Sequence, residues 1–264
     1  MKVRCQHKIC LLLTACVNPC GMSYTALQDS DIRRRQYEEA LNFYMTKTDV
    51  PIVFVENTNC DFSEKYKESI FQGRLECLTF DGNKFDKGLG KGYGEYQILM
   101  FANEHSQILK SCYYVMKITG RIKVRNINHL LESRTLMLNN VFRCDFRETD
   151  YLWSMVVMIE SRKLMDLFKE GGHRLNDSKG VYFEHILYEG MVKDKSILTI
   201  PFFESPDIDG ICGTSNRPYS ELLQGDNLQQ NLLLTSRFYK NAGRPFMRMI
   251  FRLLYAISTL KNRG

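Results

Sequence analysis

Residues Cys112–Asn126 read CYYVMKITGRIKVRN. Tyr113 to Met116 is an apolar, aromatic-rich run with the character of a buried strand. The chain turns polar at Lys117 and passes through Thr119, Gly120 and Arg121. A strand ending in a cation, a hydroxyl, a flexible glycine and a second cation resembles the carboxyl edge of an open α/β sheet, where ligands bind outside the strand ends. Two cations beside free backbone N–H groups suit an anion such as a diphosphate. The alternative is an ordinary turn with solvated charges.

Working outward, Lys8–Ala15 (KICLLLTA) is a short continuous apolar run, as expected for a central parallel strand covered on both faces. Residues Asp29–Met45 carry helical periodicity, with a cap available from Asp29, Ser30 or Asp31. Ile52–Val55 gives a second strand, ending in Glu56-Asn57, and completes a right-handed βαβ unit. A short helix at Glu64–Phe71, a strand at Leu75–Phe80, a glycine-rich loop at Asp81–Tyr93, a helix at Glu95–Leu109 and the strand Tyr113–Ile118 follow. Strict alternation calls for a mostly parallel sheet. The second half is less regular. Strands are expected at Leu138–Phe146, Leu152–Glu160 and Ile197–Phe202, helices at Ser161–Glu170 and Tyr182–Val192, and a loop at Ser205–Tyr219.

The chain has 264 residues and a net charge of +6. No Asp or Glu follows Asp226, while Arg237, Lys240, Arg244, Arg248, Arg252, Lys261 and Arg263 all do. The basicity is therefore a property of the tail, which suits an anionic surface better than a nucleic-acid groove across the fold. From Pro245, the residues Phe246, Ile250, Leu253, Leu254 and Ile257 share one helical face, and Arg244, Arg248 and Arg252 share another. That pattern reads as a basic amphipathic helix on an anionic membrane, or as a terminal helix packed on the body. The expected division is a domain over 1–236 and a tail over 237–264.

Nine cysteines without a CxxC pair fit reduced thiols, and no Cys/His set with zinc spacing occurs. The apolar run Ile9–Ala15 is at the minimum for a signal peptide and is read as the first strand. No stretch reaches the ~18 apolar residues that span a bilayer.

Several groups are candidates for chemistry. The loop Lys87–Glu95 (KGLGKGYGE) has four glycines and two lysines before a helix, but lacks the Lys-Ser/Thr pair of a P-loop. Glu56 and Asn57 can read a base or ribose, or cap the next loop. One of Arg33-Arg34-Arg35, with Arg33 the first candidate, can point toward a nucleotide. Glu184, near the start of a helix, is the first candidate for a general base and Asp145 the second. An acid at a helix N-terminus also serves simple helix stabilisation. Trp153 is either the floor of a sugar subsite or core.

The ordered set KICLLLTA, DIRRRQYEEAL, PIVFVENTN, KGLGKGYGE, YYVMKITGR, YFEHILYEG and PDIDGICGTSNRPY resembles bacterial glycosyltransferases of capsule and O-antigen clusters. The resemblance is to the single-domain, Rossmann-related GT-A type, and within it to a β-1,3-galactosyltransferase group, over about residues 8–220. It implies a UDP-sugar donor, a lipid-linked glycan acceptor and a cytoplasmic, peripheral place on the inner membrane face, with no nucleic acid as partner. By the same resemblance Thr14, Ala15, Glu56 and Asn57 hold the nucleotide, Lys91, Gly92 and Glu95 pack near the nucleoside, and Glu184 is the base. One departure is clear. The place of the Asp-x-Asp metal motif reads Lys117-Ile118-Thr119-Gly120-Arg121, without a carboxylate. A bound metal is therefore not expected, and Lys117 and Arg121 are expected to stabilise the departing diphosphate.

Overall fold

The computed structural model describes residues 7–132, 140–223 and 228–261. The elements are β1 (His7–Ala15), α1 (Ser30–Lys47), β2 (Ile52–Glu56), α2 (Lys67–Phe71), β3 (Leu75–Thr79), α3 (Gly90–His105), α4 (Gln107–Ser111) and β4 (Cys112–Thr119). They continue with β5 (Lys123–Val124), α5 (Ile127–Glu132), β6 (Val141–Arg143), β7 (Val156–Glu160), α6 (Phe183–Lys193), β8 (Leu198–Ile200), β9 (Ile208–Asp209), α7 (Tyr219–Leu222), α8 (Leu228–Asn241) and α9 (Pro245–Lys261). Seven strands form one sheet in the order β3-β2-β1-β4-β7-β6-β8. Only β7 runs antiparallel to its neighbours, so the fold is α/β with a mostly parallel sheet, as the alternation demanded.

The apolar runs explain the layers. In β1, Cys10 and Leu12 face one core with α3, α6 and α8, while Ile9, Leu11, Leu13 and Ala15 face the other with α1 and α5. A strand covered on both faces has no polar side, which is why KICLLLTA shows no alternation. In β4, Tyr114, Met116 and Ile118 take the α1 face. Lys117 therefore points the other way, toward α3 and α6. Helix α1 starts where Asp29 accepts the Ile32 N–H at 2.8 Å, and it buries Arg33, Tyr37, Ala40, Leu41 and Tyr44.

Five departures from expectation have local causes. Helix α3 begins at Gly90, so Gly92 and Gly94 lie in its first two turns and not in a loop. Gly90 has φ +84°, and a Cβ there would overlap the Asp177 side chain. The glycines thus make room for Asp177. The expected helix Ser161–Glu170 is instead two 3-10 turns, Ser161–Lys163 and Asp166–Phe168. Ser161 Oγ donates to the Cys112 and Tyr113 carbonyls, which pins this segment to the start of β4. Leu138–Phe146 contracts to β6 and a bridge between Phe146 and Leu152, and its positions 138 and 139 lie outside the described residues. The loop 205–219 contains β9, which pairs with β5 just after the β4 turn. Helix α8 was not anticipated, and the expected boundary at 236/237 falls inside it. Its inner side includes Asn231, Thr235 and Ser236, which break the apolar pattern. These groups are satisfied in place: Asn231 accepts the Phe146 N–H at 2.8 Å and Thr235 Oγ1 donates to the Asn231 carbonyl.

Candidate active site

At the carboxyl ends of β1, β2 and β4 lies a cleft of about 500 Å³. Thr14, Ala15, Arg33, Asn57, Lys91, Gly92, Glu95, Thr119, Arg121 and Glu184 all line it. Ten residues singled out from the sequence are thus brought together. Glu56, Lys117, Gly120 and Asp145 are not among its lining residues. The facing wall comes from the second half: Arg147, Tyr151, Trp153 and Ser154, the start of α6, and the loop Cys212–Ser215.

The charged groups at the strand ends are largely engaged with the protein itself. Glu56 is fully buried. Its carboxylate accepts the N–H groups of Val17, Thr58 and Cys60 at 2.8–2.9 Å and the hydroxyls of Thr58 and Thr79. It ties the loops after β1 and β2 together and is not directed at a nucleotide. Arg33 clamps the Cys16 carbonyl through Nε and Nη2 at 2.8 and 2.6 Å and the Leu27 carbonyl through Nη1. Its place at the cleft edge is that of a loop brace. Lys117 is 1% exposed and forms an ion pair with Glu95. It also donates to the Ser154 carbonyl at 2.7 Å. The expectation of Lys117 as a cation facing the diphosphate is therefore corrected: burial on the α3 side of β4 gives it an internal counter-ion. Gly120 has a backbone role, since a Cβ there would meet the Thr14 carbonyl oxygen at 2.7 Å while its N–H donates to that oxygen.

Other groups are open to a ligand. Asn57 is 1% exposed and its Oδ1 has no hydrogen-bond partner, although the residue lines the cleft. A buried amide oxygen without a donor costs ~1–3 kcal/mol unless something fills the site. Arg121 donates to Gln36 Oε1 at 2.7 Å and packs against Gly213, and among the described residues no carboxylate forms an ion pair with it. Lys91 is exposed and hydrogen-bonds Thr214 Oγ1. Arg147 lies over Trp153 at 4.9 Å and over Tyr151 at 5.8 Å. A surface ion pair with Glu148 at 3.8 Å leaves most of its donors available.

Glu184 stands on the far side at the first turn of α6. Its Oε1 accepts the Ser154 hydroxyl at 2.6 Å. Burial raises the Tyr151 phenol well above its ordinary value, and the charge of Glu184 and a hydrogen bond to it add to the rise. Tyr151 thus stays protonated beside Glu184. The Ser154 hydroxyl holds the carboxylate while leaving acceptor capacity on its two oxygens. Asp145 is buried, accepts the Phe202 N–H at 3.1 Å and lines an adjoining cavity of about 650 Å³ that shares Arg121, Trp153 and Met155 with the cleft.

Asp177 was not singled out from the sequence. It is 4% exposed, and its carboxylate faces the N–H groups that open α3, with Gly92 N at 3.5 Å. The positive end of α3, expected to face a ligand, is thus covered by a protein carboxylate. Burial raises the Asp177 carboxyl, the Gly92 and Lys91 N–H groups and the Lys91 charge oppose this, and Glu184 adds to the rise. Cys212 also lines the cleft. Burial pushes its thiol up, but donors from Ser215 and Thr214 and the charge of Lys91 outweigh this and lower it overall. Among the described residues, no group of three or more His, Cys, Asp and Glu is placed to hold a metal ion.

No protein-family model and no curated protein matches the chain. Solved structures similar to it include a cytidylyltransferase from Leptospira borgpetersenii, at 13% identity and TM-score 0.43, covering 76% of this chain and 78% of that one. The mannosyltransferase Ktr4p from S. cerevisiae is similar at 10% identity and TM-score 0.40, covering 87% and 81%. S. aureus TarS, residues 1–349, is similar at 8% identity and TM-score 0.38, covering 89% and 71%.

Proposed function

We propose that the chain is a glycosyltransferase that moves a hexose, with galactose favoured by the sequence resemblance, from a UDP-sugar to a hydroxyl of a lipid-linked bacterial surface glycan. The reading places the reaction at the cytoplasmic membrane face, in capsule or O-antigen synthesis. The observation that carries it is the cleft itself: strand ends and the unpartnered Asn57 oxygen on one wall, a positioned carboxylate on the other, and Arg121 and Lys91 among the residues that line it.

The chemistry is a single displacement with inversion. The acceptor oxygen forms a bond to the anomeric carbon as the bond from that carbon to the diphosphate breaks. Glu184 takes the acceptor proton, held in place by Ser154. Negative charge develops on the leaving diphosphate, and Arg121, Lys91 and Arg147 are the cations of the cleft that can meet it. Lys117 supports this wall through Glu95, whose Oε1 also accepts Thr14 Oγ1 at 3.0 Å.

The test is a donor screen, with and without chelator, that measures free nucleotide. Release of UDP from a UDP-sugar, persisting in chelator, is the expected result. Release of pyrophosphate from a nucleoside triphosphate and a sugar phosphate would mean nucleotidyl transfer and overturn the reading.

A further inference from the structure

Among the described residues, helix α9 is attached to the body on one side only. Phe251 is buried, with its ring stacked on Tyr239 at 5.4 Å, and Met247 and Tyr255 pack beside it. Another side of the same helix carries Phe246, Met249, Leu253 and Leu260, exposed by 67, 60, 62 and 70%, together with Ile257. These positions recur every three or four residues and so form one continuous stripe. Among the described residues, eleven large hydrophobic side chains are exposed, and six of them belong to this single helix. Isolated exposed hydrophobics are ordinary on a protein surface, whereas a contiguous apolar stripe marks an interaction site.

The charges beside the stripe identify the partner. Helix α9 contains no Asp or Glu; by helical spacing Arg252 borders the stripe beside Met249, and half-buried Arg248 lies one turn before it on the same row. Arg244, expected in the same row, is turned to the body instead: its Nη1 donates to the Ile197 carbonyl at 2.7 Å and its guanidinium lies over Tyr239. A second copy of the chain is a poor occupant, because two acid-free basic helices would meet with no carboxylate on either to pair with. The helix is also not long and apolar enough to cross a bilayer. At ~1.5 Å per residue it is about 25 Å long, a length suited to lying in the plane of an interface.

We infer that α9 docks the protein on an anionic lipid bilayer through the stripe Phe246, Met249, Leu253, Ile257 and Leu260, with Arg248 and Arg252 at the headgroups. This deepens the proposed function by naming the surface that meets the membrane, yet it stands on α9 alone and is read without any turnover.

The experiment is flotation of the full chain with vesicles of phosphatidylglycerol and phosphatidylethanolamine, and with vesicles of phosphatidylcholine. The chain should float with the anionic vesicles, bind neutral ones far less, and lose binding at high salt. The triple variant Phe246→Ser/Leu253→Ser/Leu260→Ser should lose flotation with an unchanged melting temperature, because all three side chains are already exposed. Replacing Arg252 by Gln should weaken binding about five-fold, as expected for one cation near an anionic surface. Failure of the wild type to float, equal flotation with both vesicle types, or unchanged binding by the triple variant would overturn the inference. A concentration-dependent dimer in light scattering, abolished by the triple variant, would assign the stripe to a second copy instead. Loss of transferase activity with vesicle binding intact would count against the proposed function and leave this inference standing.

Discussion

Glu56 closes β2 in the regular half of the chain, and Glu184 opens α6 in the irregular half. Both stand close to the same cleft, and they do opposite work. Glu56 has no exposed surface and takes three backbone N–H groups and two hydroxyls. Glu184 is half-buried, lines the cleft beside Tyr151 and is held by Ser154. The same contrast runs through the cations. Lys117 and Arg33, from the parallel strand-and-helix half, are engaged by Glu95 and by loop carbonyls. Arg147, from the irregular half, stacks on aromatic rings at the cleft. The first half therefore builds a rigid wall by satisfying several of its own charges, and the second half supplies the candidate base and the stacked Arg147. Arg121, Asn57 and Lys91 are the first-half groups that stay open to a ligand and link the two.

The contrast can be broken by substitution. Glu184→Gln should have the largest effect, lowering transfer by about 10²–10⁴-fold while UDP binding persists, since only proton acceptance is lost. Equal activity in that variant would move the base to another carboxylate, with Asp177 and Asp145 the ones to test. Arg121→Ala should lower turnover by about 100-fold with little change in melting temperature. Glu56→Ala should act on the fold instead. It leaves several N–H groups without an acceptor, at a cost of roughly 3 kcal/mol or more, visible as an earlier denaturant midpoint. A variant that kept its stability but lost nucleotide binding would return Glu56 to the site.

The smallest effect concerns pH. The Asp177 carboxyl is raised in the folded chain, chiefly by burial. The folded state then holds a proton that the unfolded state has already released, so stability falls as pH rises from the ordinary Asp range through the raised value. Asp177→Asn should flatten that part of the melting-temperature profile, and an unchanged slope would show that another group causes it.

The sheet was legible because buried parallel strands are continuous apolar runs, and KICLLLTA, IVFV and YYVM are short and bounded by polar turns. The general place of the cleft followed from the strand ends. Which charges remain available there did not follow. The partners of Glu56 come from loops after β1 and β2, and the partner of Lys117 comes from α3, contacts that no local pattern displays. The use of the α3 glycines was hidden for the same reason, because Asp177 lies far along the chain. Tyr151 lay just beyond the charged cluster Arg143–Asp150, and nothing in its spacing linked it to Glu184. Helix α8 was masked by the three polar side chains it buries.

Isothermal titration of UDP in the presence of chelator, into the wild-type chain and into Arg121→Ala and Lys117→Met, bears most directly on a cleft whose lining cations hold a diphosphate. The wild type should bind, Arg121→Ala should bind at least ten-fold more weakly, and Lys117→Met should stay within a few-fold of the wild type wherever it remains folded. Absence of UDP binding to the wild type, or a folded Lys117→Met that loses binding while Arg121→Ala keeps it, would contradict the account.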